Sequence, residues 1–514
     1  MKEYFKNSLF LLCVVYIYFS SCVSLVYNTF DRAFKLVMIP VLLPLIVLAL
    51  IGLDFFATQI FNIKEEASYK SKTRKQLFLT FIVFSVVCFI VLFLDYLANF
   101  PGGFSQDSII QYSQVVNGTY NDWHPVIHTL IFFGFPYSLS SDANLIVLFQ
   151  IILFSVSLGY IGMTVFDVSN PFIALIVFSM VVLNPNTLNI CMYPWKDVMF
   201  AMVSALSYAV IVRRIIKKED IRISEIIILS ILFSLSILFR HNGILFTAPL
   251  ILCLFLFFNY RKVILTVLLT FICLFAIKGP LYSSLNVEKP GQRLTETMGL
   301  PLTIIGECIT NNPDALDDEI KEFAYEIADK DFCETYYDSS FNSVKFSGAD
   351  TSIVEKTPVL KIISMALKCF VEAPRQAIDA TLRLTGMVFA FIGNGSRIHR
   401  PEIVSNSLGI NPIKTSYSDL ANRIIEIIRN IGVVFNISFN YIGFTIMVII
   451  VSLYLFCDLR NKSDLKYILL SLPILIYDFG TMILLTGYEW RFFYISFLVY
   501  PLVVLLLWRK EKTL

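Results

Sequence analysis

An acid, an amide, an indole and an imidazole fall within 18 residues of one another between two apolar runs: Asp107, Gln111, Trp123 and His124. Asp107, Gln111 and Gln114 recur at i, i+4 and i+7, so a short helix over 105–116 would carry them on one face. Pro101-Gly102-Gly103 breaks the preceding run and lets the chain turn. Pro125 suits the first position of a new helix, with Asp122 to His124 at its mouth and His128 one turn further on. The chemistry such a loop offers is acid/base work or metal binding, with Tyr120 and Trp123 as rings for a sugar to stack on. The plainer reading is a capped loop with the aromatics that bilayer boundaries enrich anyway. Ionisable groups this close to a bilayer are seldom kept without a use, which favours the first.

Three more polar clusters lie at the ends of apolar runs: Trp195-Lys196-Asp197, Arg240-His241-Asn242-Gly243 and Tyr488-Glu489-Trp490-Arg491. Lys196 is a compact cation suited to a phosphate, although a snorkelling lysine followed by a capping aspartate would read the same way. A tight turn needs Gly243 and Asn242 for backbone reasons; it does not need Arg240 and His241. The Arg491 fork fits a phosphate, or else a salt bridge to Glu489. The four histidines, 124, 128, 241 and 399, fall on one side of the membrane in the topology below. A divalent cation could therefore join the site, but no ligand set is identifiable. The ten cysteines are scattered without CxxC spacing; Cys308 and Cys333 are the one pair in a polar stretch.

The elements that must position these residues are membrane spans. Of the 514 residues, 57% are hydrophobic and 16% charged, against about 25% charged in a soluble domain. The net charge of +2 gives no reason to expect nucleic acid. Twelve apolar runs approach the length that crosses ~30 Å of hydrocarbon, at about 8–28, 34–61, 76–97, 143–165, 171–189, 198–216, 224–240, 243–259, 263–280, 430–456, 467–486 and 492–508. The expected fold is an all-α polytopic membrane protein of about twelve transmembrane helices with one extracytoplasmic region. Basic residues follow alternate runs, at Lys64 to Lys75, Arg213 to Arg222, Arg261-Lys262, Arg460 to Lys466 and Arg509 to Lys512. That bias puts both termini in the cytoplasm. The opposite short loops carry Arg32, Lys196, Arg240 and Arg491, three of which belong to the polar clusters.

This divides the chain into two N-terminal transmembrane helices (1–75), a transmembrane core (76–280) with its first outer loop at 98–142, an extracytoplasmic region (281–428), and three C-terminal transmembrane helices (429–514). Within the outer region, Leu316, Ile320, Phe323, Ala324 and Ile327 have helical spacing, as do Val359, Ile362, Ile363, Ala366, Leu367 and Phe370. Residues 376–393 are apolar enough in their second half to cross, but a crossing would break the charge bias. They are expected as a surface or re-entrant helix, with Asp379 and Arg383 paired.

The run Phe100-Pro-Gly-Gly-Phe-Ser-Gln-Asp-Ser-Ile-Ile-Gln111, then Gly118 and Trp123-His124-Pro125, then Pro194-Trp195-Lys196-Asp197 and Arg240-His241-Asn242-Gly243, resembles a bacterial family of polytopic proteins defined only as a domain of unknown function. That family in turn resembles the GT-C glycosyltransferases. The likeness covers about residues 76–280 and Tyr488 to Arg491. It implies a GT-C-like core, a polyprenyl-phosphate-linked sugar as donor, a glycan or lipid acceptor, and an acid in the first outer loop as catalytic residue. Two spans precede the core here, and the acid is a lone Asp107, with Asp95 as the alternative.

The expectation is a glycosyltransferase of the bacterial cytoplasmic membrane, working among membrane lipids on a cell-surface polymer. Asp107 and His124 are the candidate catalytic residues. Gln111, Trp123, Lys196, Asp197, Arg240, His241 and Arg491 are the candidate substrate-binding residues. A transporter or flippase for lipid-linked saccharides and an O-antigen-type polymerase or ligase are the competing readings.

Overall fold

The structure is a computed structural model. It describes residues 7–26, 32–62, 72–289, 293–332, 340–390, 400–435, 441–459, 465–487 and 489–507. Among these, the chain is helical, and its only β-pairing consists of two isolated parallel bridges. Inside hydrocarbon every backbone N–H and C=O must be satisfied within its own segment, which leaves the helix as the available solution for such apolar runs.

Among the described residues, eight helices are long and apolar enough to cross a membrane: Ser8–Val26, Lys35–Phe55, Arg74–Ala98, Asn144–Val168, Lys196–Lys217, Tyr260–Ser284, Leu465–Ile483 and Trp490–Leu507. The chain is thus an all-α, multi-pass membrane protein. Pro171–Val182 and Pro185–Cys191 would make a ninth span if taken together, but they bend by 58°. Asn184, whose side chain accepts from the amides of Asn186 and Thr187, starts the second helix afresh. Other expected spans are shorter as helices, at Ile223–Phe239 and Ile244–Leu254. The expected span at 430–456 runs through residues 436–440, which lie outside the described residues; helix is described up to Phe435 and again from Tyr441.

The elements used below are α1 (Ser8–Val26), α2 (Arg74–Ala98), α3 (Gln106–Asn117), α4 (Lys196–Lys217), α5 (Ile223–Phe239), α6 (Pro374–Phe389), α7 (Ser418–Phe435) and α8 (Tyr494–Leu507). A capping box starts α2, with Thr73 and Gln76 bonding each other's backbone amides. The most enclosed span is α4, packed between α5, α8 and the Asn144–Val168 helix. Hydroxyls weld neighbours together where water is absent: Ser230 and Ser234 on α5 donate to the Thr266 and Thr270 carbonyls of the next long helix.

A second core lies outside the bundle, built from Leu302, Ile305, Cys308, Ile320, Phe323, Ile362, Met365 and Cys369 among others. Asp318–Ile327 buries Ile320, Phe323, Ala324 and Ile327 at the spacing its sequence predicts. The Val359–Glu372 helix departs from expectation. It buries Ile362, Met365, Ala366 and Cys369, while Leu360 and Leu367 stay exposed. Its inward face is rotated from the expected one and packs against α6 and the Gly299–Asn311 helix. Within 376–393, α6 ends at Phe389 and carries the Asp379–Arg383 ion pair at 2.7 Å. It is not among the helices that pass as spans, and it packs against α1 and the Tyr441–Leu459 helix. Cys308 and Cys369 are adjacent free thiols; Cys333 lies outside the described residues.

Candidate functional site

The loop that presents Asp107 is set by its backbone. Gly102 has φ +109°, a conformation only glycine adopts without strain, and its N–H donates to the Asn99 carbonyl at 2.6 Å. The Gly103 N–H then reaches the Met192 carbonyl at 2.8 Å and the Phe104 N–H the Glu402 carbonyl at 2.9 Å. Held this way, the chain enters α3 with Asp107 in the first turn, where the helix dipole favours a negative charge. Lys196 and Asp197 open α4, Arg240 closes α5, and Arg491 lies in the short turn before α8. Four clusters distant in sequence therefore meet at one end of the bundle.

Arg491 is the hub. One of its terminal nitrogens donates to Asp107 Oδ2 at 3.1 Å, and its Nε lies 3.1 Å from Glu489 Oε2 and 3.8 Å from Asp197 Oδ2. Arg240 pairs with Asp197 through one terminal nitrogen. Its Nε donates to Asn242 Oδ1 at 2.7 Å, and Asn242 donates on to Thr481 at 2.9 Å. Rings separate the two guanidinium groups. Arg491 lies 4.6 Å from the Trp195 ring and 5.4 Å from Phe492, while Arg240 lies 4.1 Å from Phe492. Trp195 in turn stacks on Tyr193 at 4.2 Å and 6°. The ladder Tyr193–Trp195–Arg491–Phe492–Arg240 keeps two cations oriented on one buried carboxylate, Asp197.

Asp107, Asp197 and Glu489 are thus all taken by Arg240 and Arg491. Lys196 is left over. Among the described residues its ammonium makes no hydrogen bond and no ion pair, although Asp107, Arg240, Arg491 and Glu296 all act on it electrostatically. His124 is 1% exposed, and neither ring nitrogen has a hydrogen-bond partner among the described residues. Leaving a buried polar group unbonded costs about 1–3 kcal/mol, so His124 gains from an incoming oxygen, and half-buried Lys196 is the cation left to meet an anion. Burial alone would raise the Asp107 carboxyl, but Arg491 and Lys196 outweigh it and hold it down at about 2. Burial, reinforced by Lys196, pushes the His124 imidazole down to about 3. At neutral pH the site holds a charged carboxylate and a neutral imidazole. The Asp107 side chain is 34% exposed, so a substrate can reach it.

The remaining candidates divide. Gln111 is buried and faces inward, where its Oε1 accepts from His128 Nδ1 at 2.9 Å and from the Thr129 hydroxyl at 3.1 Å. It braces the loop from behind. Trp123 sits at the rim, with the Lys345 ammonium over its ring at 5.8 Å; Lys345 also pairs with Glu296. His241 is exposed and donates to the Asp122 carbonyl at 3.0 Å. Asp95 lies elsewhere: both its oxygens accept from one Arg429 nitrogen, at 3.0 and 2.9 Å, in a buried contact with α7. His399 and Tyr488 lie outside the described residues. No three His, Cys, Asp or Glu side chains among the described residues converge on a metal position. Sequence reasoning missed Tyr193, Ser105, Phe492 and Glu296. Tyr193, Ser105 and Phe492 adjoin named clusters, and Glu296 carried no local signal.

Comparison of the chain with protein families, with curated proteins and with solved structures finds no match to any of them.

Proposed function

We propose that the chain is a membrane glycosyltransferase that moves a sugar from a polyprenyl-phosphate-linked donor to a glycan or lipid acceptor. The observation that carries this reading is the unengaged Lys196 ammonium beside an ionised Asp107 and a buried, unbonded His124, all at helix ends. The acceptor hydroxyl oxygen attacks the anomeric carbon, and the bond from that carbon to the phosphate oxygen breaks. The phosphate leaves with the electron pair and one more negative charge, which Lys196 and Arg491 stabilise. The hydroxyl proton passes to the Asp107 carboxylate, with His124 orienting the hydroxyl through a ring nitrogen. Asp107 is a weak base while Arg491 holds it. It becomes a better one as Arg491 turns towards the phosphate.

In this reading the bundle has about twelve spans in the GT-C manner and both termini in the cytoplasm. The site then faces the outside of a bacterial cytoplasmic membrane, and a lipid tail reaches it sideways. A transporter would instead place its charges near the bilayer midplane, whereas this cluster sits where α3, α4 and α8 begin and α5 ends. A polymerase or ligase of lipid-linked saccharides would share the geometry and differ in acceptor. The test is the purified protein in liposomes with a radiolabelled polyprenyl-phosphate sugar. Transfer or slow hydrolysis, releasing polyprenyl phosphate, is expected. Movement of intact donor across the bilayer without cleavage would establish the transporter instead.

A further inference from the structure

Both loops that carry the site are held by the 281–428 region rather than by the bundle alone. Near the start of that region, Glu288 bridges to Asn121, with the Asp122 N–H on the Glu288 carbonyl and the Glu288 N–H on the Tyr120 carbonyl, each at 2.9 Å. This pins the turn before His124. Towards its end, Ile403 bridges to Phe104, with the Phe104 N–H on the Glu402 carbonyl and the Val404 N–H on the Phe104 carbonyl, each at 2.9 Å. This pins the turn before Asp107. One side chain ties the second bridge to the charged cluster. The Tyr193 hydroxyl donates to the Arg400 carbonyl at 3.0 Å and accepts from the Glu402 N–H at 3.1 Å. The ring of Tyr193 stacks on Trp195, whose Nε1 donates to Ser105 Oγ at 2.8 Å and whose ring lies 4.6 Å from the Arg491 guanidinium.

We propose that Tyr193 is a positioning residue that couples residues 400–404 of the outer region to the Asp107–Arg491 pair. The proposal rests on the glycosyltransferase reading for its kinetic consequences, and on hydrogen bonds alone for its structural ones. Tyr193 touches no reacting atom. It sets where Trp195 lies, and Trp195 sets where Arg491 divides itself between Asp107, Glu489 and Asp197.

The test is Tyr193→Phe in the full chain in lipid nanodiscs, which keeps the stacked ring and removes both hydroxyl bonds. Amide exchange in peptides covering 102–105 and 402–404 is expected to quicken by about tenfold, the scale of one lost hydrogen bond. Turnover is expected to fall by about tenfold while the donor KM stays within about twofold, since a small misplacement acts on the transition state. The acid limb of the turnover profile is expected to move to higher pH, because a slackened Arg491 holds Asp107 less firmly; Lys196 and His124 are the other titrating groups facing it. Unchanged exchange would overturn the coupling, and so would faster exchange with an unchanged turnover profile. A wild-type protein that never cleaves the donor sinks the glycosyltransferase reading instead, and the exchange arm still decides the tie.

Discussion

Lys196 and Arg491 are both cations at helix ends, yet their surroundings give them different work. Arg491 is shared among three carboxylates, whereas Lys196 has no ion-pair partner among the described residues and is the charge available to a phosphate. Lys196→Ala should weaken donor binding by about 10- to 100-fold, the range of a charge-assisted contact, and leave the protein in the membrane. Donor affinity equal to wild type in a binding titration would make Lys196 a snorkelling side chain. Asp107→Asn keeps shape and removes the base, so turnover should drop about 10²-fold or more while donor binding holds. Asp95→Asn should leave turnover near wild type, because Asp95 faces Arg429 and not the cluster. The reverse pattern would make Asp95 the base. Asp107 lies far below the usual carboxylate range and His124 far below the usual imidazole range. One therefore stays charged and the other neutral between about pH 5 and 8. Donor affinity should be flat over the lower part of that window, from about pH 5 to 7. A rise towards pH 5 would mean an imidazolium forms there, and with it a different charge balance.

Among the helices, α7 shows how an amphipathic segment is fixed beside a bundle. Asp95 on α2 binds Arg429 with both oxygens, Arg429 also reaches Asn189, and Gly432 lies so close to Leu183 that an added Cβ would collide with its carbonyl oxygen. Removing one partner leaves a buried charge uncompensated. Arg429→Ala should therefore destabilise the protein by about 3–5 kcal/mol, and the Asp95→Asn, Arg429→Ala double variant should lose less than the sum of the two. Thermal melts in one detergent would measure both, and strictly additive losses would show that the pair does not act as a unit. At the same scale, the stripe on the Val359–Glu372 helix was legible in period but not in phase. Met365 and Cys369 go inward while Leu367 stays out, because apolar residues ring that helix and the neighbouring surface selects the face.

For the whole molecule, the site and the second core share one end of the bundle, with Glu296 and Lys345 from the outer region near Lys196 and Trp123. The basic loops lie at the far ends of α4 and α5, where Arg213 and Lys217 pair with Asp167 and Arg214 with Glu225. In the proposed topology that basic end is the cytoplasmic one. In a background without reactive native thiols, Tyr120→Cys and Phe346→Cys should react in intact cells with an impermeant reagent, and Lys218→Cys should not. Phe346 is 75% exposed, so burial would not mask its label. Labelling at Lys218 alone would invert the topology and place the site inside.

By itself the sequence determined that the chain lives in a membrane as helices, because long apolar runs leave the backbone no other way to satisfy itself in hydrocarbon. It also marked Asp107, His124, Lys196, Arg240 and Arg491, because charge at a bilayer edge is costly to keep and stands out against an apolar background. Several elements were visible for the same local reasons, such as the helix carrying Asp107 and the Ile320–Phe323–Ile327 face. Sequence could not say which charges neutralise which. Arg491 and Asp107 are 384 positions apart in the chain, and only the fold decides that this pair forms while Lys196 is left without one. Nor could it tell that Gln111 faces inward, or that Tyr193 reaches a backbone carbonyl 207 residues away. Helix-to-helix contacts settle those points, and hydrophobic period carries no information about partners so distant. The count of spans falls between the two. Apolar length suggested twelve, and the bend at Leu183–Asn184 and the short helices around Arg240 come from caps and turns that hydropathy averages away.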